Sequence, residues 1–117
     1  LVAGRDLLSR TPRPTAIIAQ SDLLALGVIR AAEELGLSVP DDLSVLGFDG
    51  VRIEGAAPHE LTTLVQPAVD KGRAAGGAVI ALLNGDRPEP SRFTSQLRIG
   101  TTTAPAPSSA APSSGSA

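Results

Sequence analysis

PTAIIAQSDLLALGVIRAAEELGLSVPDDLSVLGFDG, residues 14–50, is the stretch whose reading decides the fold. Thr15 to Gln20 is a short apolar run behind a proline, the pattern of a strand covered on both faces in a parallel sheet. Ser21 or Asp22 then offers an N-cap, because a short oxygen-bearing side chain satisfies the unpaired N–H groups at a helix start. Leu24, Val28, Ala31 and Leu35 recur at helical spacing until Gly36, a natural left-handed C-cap. The spacing predicts a helix of about four turns. Leu43 to Phe48 is a second apolar run, set off by the turn residues Pro40, Asp41 and Asp42. Strand, helix, strand with short connections is a parallel β-α-β unit with a right-handed crossover.

Working outward, Asp49-Gly50 opens an irregular stretch containing Gly55 and Pro58. Leu61 to Gln66 then reads as a third strand, stopped by Pro67. Val69, Gly72, Gly76, Val79, Ile80 and Leu83 line one face of a further helix that ends near Asn84-Gly85. The pair Gly76-Gly77 costs about 1 kcal/mol per glycine relative to alanine, so this helix needs a partner to hold it. Arg92 to Ile99 alternates in part, as a final, partly solvated strand would. Upstream, Leu1 to Arg13 carries a short helical pattern broken at Thr11-Pro12-Arg13-Pro14. Residues 104–117 contain only Ala, Pro, Ser and Gly, a composition expected to give a disordered tail. Residues 1–103 are therefore the folded part.

A chain of 117 residues is one domain or a piece of one. Hydrophobic residues make up 42% and charged residues 19%, enough apolar material for a core. Ten Lys+Arg stand against 12 Asp+Glu, a formal charge of -2. No basic surplus is present to neutralise nucleic-acid phosphates. Cysteine is absent, which removes disulfides, thiolate nucleophiles and cysteine-ligated metals together. A single histidine builds no histidine metal cluster, so no metal site is expected. No apolar run approaches the ~20 residues that cross a bilayer. No phosphate-cradling glycine loop or nucleophile elbow occurs either, so neither cofactor nor catalysis is expected.

In an open parallel sheet, ligands bind outside the carboxyl ends of the strands. Those ends carry the polar residues here: Gln20-Ser21-Asp22, then Phe48-Asp49-Gly50, then Gln66. A hydroxyl, a carboxylate and an amide on neighbouring strand ends are what a sugar or nucleoside site uses, the carboxylate accepting vicinal hydroxyls. Each has a plainer reading. Asp22 is most simply the helix N-cap, and Ser21 shares that capping or meets a ligand. Asp49-Gly50 is either a turn pair or part of a pocket, and Gln66 either bonds backbone or meets ligand. Phe48 reads as core. His59, alone beside Pro58, reads as a surface residue.

The ordered set of PTAIIAQSD, the alanine-leucine-glycine helix, VPDD, VLGFDG and LTTLVQP (residues 61–67) resembles the LacI/GalR family of bacterial transcriptional repressors. The likeness runs without a gap from Pro14 to Pro67 and more loosely to Thr103. It implies the later part of a periplasmic-binding-protein-like sensor domain, an α/β fold of type I with a parallel sheet in three α/β/α layers, here incomplete. By that resemblance Ser21, Asp49, Gln66 and Ala68 fall at effector-contact positions, the effector being a sugar or related small molecule. Some members place an aromatic where this chain has Ala68, which implies a wider pocket or a different effector. Gly100-Thr101-Thr102 stands where the family's last strand often ends Arg-x-Ser/Thr. Leu23, Leu24, Ala25 and Leu26 fall on the helix that forms the sensor homodimer, although Leu24 reads equally well as core. The resemblance further implies a cytoplasmic, non-enzymatic regulator that meets operator DNA through a helix-turn-helix not among these residues. A periplasmic sugar-binding component of a transport system shares the fold and is the alternative.

Overall fold

The computed structural model describes residues 1–108. The elements in chain order are α1 (Val2–Leu8), β1 (Ala16–Ile18), α2 (Asp22–Glu34), β2 (Ser44–Asp49), β3 (Thr62–Val65), α3 (Ala68–Leu83) and β4 (Gln96–Arg98). They form one four-stranded sheet in the order β1-β2-β3-β4. β1 and β3 both run parallel to β2, with Ile17 opposite Val45 and Asp49 opposite Val65. β4 pairs antiparallel with β3, Leu97 opposite Leu64, so the sheet is mixed where a parallel one was expected.

The boundaries follow from local chemistry. Ser21 is extended at φ -155° and its side chain accepts from the Leu24 N–H, which makes Ser21 the N-cap of α2. Gly36 at φ +73° closes the other end, with the Leu37 N–H reaching back to the Ala32 carbonyl at 2.9 Å. Gly85 at φ +81° does the same for α3.

The core lies between α1, α2 and one face of the sheet. Leu8, Ala25, Val28, Ile29, Ala31 and Ala32 meet Ala19, Leu43 and Val45 there. α1 crosses α2 at Gly4, where a Cβ would stand 3.1 Å from the Ala31 methyl and 3.3 Å from the Val28 Cα. The opposite face is barely covered, and Ile18 remains 77% exposed. α3 buries none of its residues, so within this chain the expected three layers are two. The helix that needed a partner has none among the described residues.

The segment after β4 completes the sheet below β3. Thr102 is buried, gives its Oγ1 hydrogen to the Val45 carbonyl at 2.7 Å, and accepts the Val45 N–H on its own carbonyl at 2.8 Å. Ala104, expected in the tail, is tied at both its N–H and its carbonyl to the Ser44 hydroxyl. The rest of the tail from residue 109 lies outside the described residues. Among the described residues no helix is long and apolar enough to cross a membrane.

Candidate functional site

The carboxyl ends of β1, β2 and β3 share one edge, as three parallel strands require. β2 ends at Asp49, whose φ of +116° is the one positive value at a non-glycine residue among the described residues. Such a conformation costs on the order of 1–3 kcal/mol and persists only where its surroundings impose it. The constraint comes from both sides. The Gln66 N–H donates to the Asp49 carbonyl at 3.1 Å, and the next two amides, of Gly50 and Val51, both donate to Asp22 Oδ2 at 2.8 Å.

The Asp49 side chain is half-buried, and its Oδ1 accepts from Gln66 Nε2 at 2.7 Å. Gln66 Oε1 in turn accepts from Lys71 Nζ at 2.5 Å. The three side chains form a line from β2 through the end of β3 to the first turns of α3. Ser21 lies on the same edge, because the β1–β2 ladder continues to Ala19, whose N–H donates to the Leu46 carbonyl at 2.8 Å. Its oxygen is engaged by the Leu24 N–H, which still leaves its hydroxyl hydrogen to donate. Ala68 is the exposed first residue of α3. A cleft of about 180 Å³ opens beside Gln66 and Pro67, walled by Val65, Thr94 and Gln96.

Four sequence expectations are corrected. Asp22 is not the N-cap. It is fully buried and accepts from Gly50, Val51 and, at 2.5 Å, the Thr63 hydroxyl, so it staples α2 to the start of the loop and to β3. Ala25 and Leu26 do not face outward. They are buried, Ala25 in the core and Leu26 beneath the 51–61 segment, which takes both from any dimer surface. Leu23 and Leu24, at 69% and 58% exposed, face out, so Leu24 is not core. His59 is not a surface side chain: it is 16% exposed, with Nε2 held 2.9 Å from Glu33 Oε1.

A larger hollow, about 440 Å³, lies elsewhere, beneath the 51–61 segment. Its floor is Leu26, Ile29 and Leu61, and it touches none of Ser21, Asp49, Gln66 or Ala68. Asp22, Arg52, His59, Glu60 and Arg98 also line that hollow, and what distinguishes the strand edge is its strained backbone at Asp49. The sequence marks Lys71 only by its place in the first turn of the helix that follows a strand-end glutamine.

The periplasmic binding protein-like domain matches residues 2–103. The chain belongs to that family. Its relatives are LacI-type regulators, and it is a portion of their sensor domain. The HTH-type transcriptional repressor PurR of Escherichia fergusonii is 39% identical over 97 residues, covering 83% of this chain and 28% of that protein. The crystal structure of a LacI family transcriptional regulator from Bifidobacterium animalis superposes with a TM-score of 0.79 at 34% identity, covering 90% of this chain and 39% of that one. A LacI family regulator from Arthrobacter, solved in complex with lactose, gives a TM-score of 0.72 at 29% identity, covering 88% and 40%. The chain thus spans about a quarter of the curated relatives it matches.

Proposed function

We propose that this chain is the effector-binding portion of a LacI-type transcriptional regulator, and that its effector is a carbohydrate. The observation that carries the reading is Asp49: a carboxylate held at the sheet edge in a strained conformation, with Oδ1 engaged by Gln66 and Oδ2 without a hydrogen-bond donor among the described residues. A carboxylate so placed accepts hydroxyl hydrogens, which are the recognition groups of a sugar. Ser21 and Ala68 flank it on the same edge. The lactose complex of the Arthrobacter regulator supports that chemistry. Among such relatives the reading favours regulation in the cytoplasm over solute transport, and binding without turnover over catalysis.

Regulation follows from differential affinity. An effector that prefers one arrangement of the sensor shifts a dimer between DNA-competent and DNA-incompetent states by as much as its affinities for the two differ. Leu23 and Leu24 are the part of that dimer surface which this chain supplies. With a net charge of -2, operator contact belongs to other residues of the regulator.

The test is calorimetric titration of the full-length natural polypeptide carrying these residues with a panel of neutral mono- and disaccharides, lactose included. The expected result is saturable binding that Asp49→Ala weakens by at least ~30-fold, on the order of 2 kcal/mol for a lost charge-assisted bond. Binding that ignores the substitution, or sugar turnover by the wild type, overturns the reading.

A further inference from the structure

The Lys71–Gln66–Asp49 line has a polarity that its chemistry dictates. A glutamine amide presents oxygen on one side and two N–H groups on the other, and either face fits most sites. Here an ammonium stands on one side and a carboxylate on the other. The ammonium has only hydrogens to give, so it takes Oε1 at 2.5 Å; that leaves the N–H side for Asp49 Oδ1 at 2.7 Å. Both bonds have one ionised partner, the stronger kind of hydrogen bond. Reversing the amide would set N–H against ammonium and oxygen against carboxylate.

The glutamine also keeps the two charges apart. Neither Asp49 nor Lys71 takes part in any of the four ion pairs among the described residues, which are Arg5–Glu34, Arg10–Asp6, His59–Glu33 and Arg73–Asp70. A direct lysine–aspartate pair would occupy the carboxylate with its own counter-ion. With a neutral amide interposed, Oδ1 is fixed and Oδ2 stays an acceptor.

We propose that Lys71 is a positioning residue of this site, orienting Gln66 so that Asp49 is held in place with one oxygen presented to the hydroxyl groups of an uncharged polyol. The inference rests on the effector-binding reading above for its ligand and on the three side chains for its geometry. It also sets the ligand class: an anionic sugar derivative would meet the Asp49 carboxylate, whereas a neutral polyol supplies the hydrogens that carboxylate accepts. Lys71 is exposed, so its removal leaves the core intact and its effect is read at the site.

Two measurements on the full-length natural polypeptide test this. The first needs no ligand: hydrogen exchange and chemical shift of the Gln66 side-chain amide in nitrogen-15 spectra of wild type, Lys71→Met and Lys71→Arg. Loss of the ammonium is expected to speed that exchange by about five-fold or more, with Lys71→Arg returning it towards the wild-type rate. A Gln66 amide signature unchanged in Lys71→Met overturns the inference. The second titrates the tightest neutral saccharide of the panel. Lys71→Met is expected to weaken it about ten-fold at unchanged stoichiometry, with recovery in Lys71→Arg. If Asp49→Ala abolishes binding while Lys71→Met binds as wild type does, the positioning role is wrong and the effector reading stands. If no saccharide depends on Asp49, the effector reading fails, and the amide spectra still decide the role of Lys71.

Discussion

Asp22 shows how a single residue can carry a different duty from the one its place in the chain suggests. It is fully buried, yet its two oxygens accept from two backbone N–H groups and one hydroxyl, on β3 and on the segment leaving β2. Such bonds to an ionised acceptor are each worth about 1.5–3 kcal/mol, and donors left unpaired in the interior bear the full loss of their hydration. Asp22→Ala is therefore expected to lower stability by about 3 kcal/mol or more, read as a shift in the urea midpoint at unchanged slope. A shift below about 1 kcal/mol would mean that water replaces the carboxylate. The sequence showed an acidic residue at a helix start, which is the ordinary signature of a cap. It could not show that residues 28, 29 and 41 positions away would supply its donors. Asp49 and Gln66 were legible because strand ends are predictable and a sheet gathers them at one edge. Lys71 was not, because only the chain reversal at Pro67 brings it back to Gln66.

At the scale of elements, the caps and the apolar periods were readable because both act within a few residues. Ser21 capping Leu24, Gly36 closing α2 and Gly85 closing α3 are local events, and all three stood in the sequence. Ser21→Ala should thus cost about 1 kcal/mol, since one helical N–H loses its acceptor, checked by the same denaturant titration. That is a third of the effect expected at Asp22, although the two residues are adjacent. The direction of β4 was not readable. Arg92 to Ile99 alternates in a way that allows either pairing, and strand direction depends on where α3 delivers the chain. Only Gln96–Arg98 is paired, since β3 itself offers just four residues and its far end is met by Thr101 and Thr102.

At the scale of the molecule, α3 is the feature that sets this chain apart from a self-sufficient domain. Val69, Val79, Ile80, Leu82 and Leu83 are all exposed on it, and Leu97 and Ile99 add to the apolar surface from the β4 strand and its end. A helix with two adjacent glycines has poor intrinsic stability, and helices in proteins are held chiefly by packing an apolar face. A chain that spans about a quarter of its relatives leaves that face uncovered by its own residues. The 117-residue polypeptide on its own is accordingly expected to bind a hydrophobic dye and to sediment with a mass that rises with concentration. Replacing Ile80 and Leu83 together with glutamate should suppress both. It should leave the urea midpoint of the α1–α2 core within about 0.5 kcal/mol of the parent, because neither side chain is buried in it. A double variant that still self-associates would place the contact elsewhere, with the exposed Leu23 and Leu24 as the next surface to change. A double variant that loses core stability would show instead that α3 packs on the sheet in solution, and that the uncovered face described here closes on the chain itself.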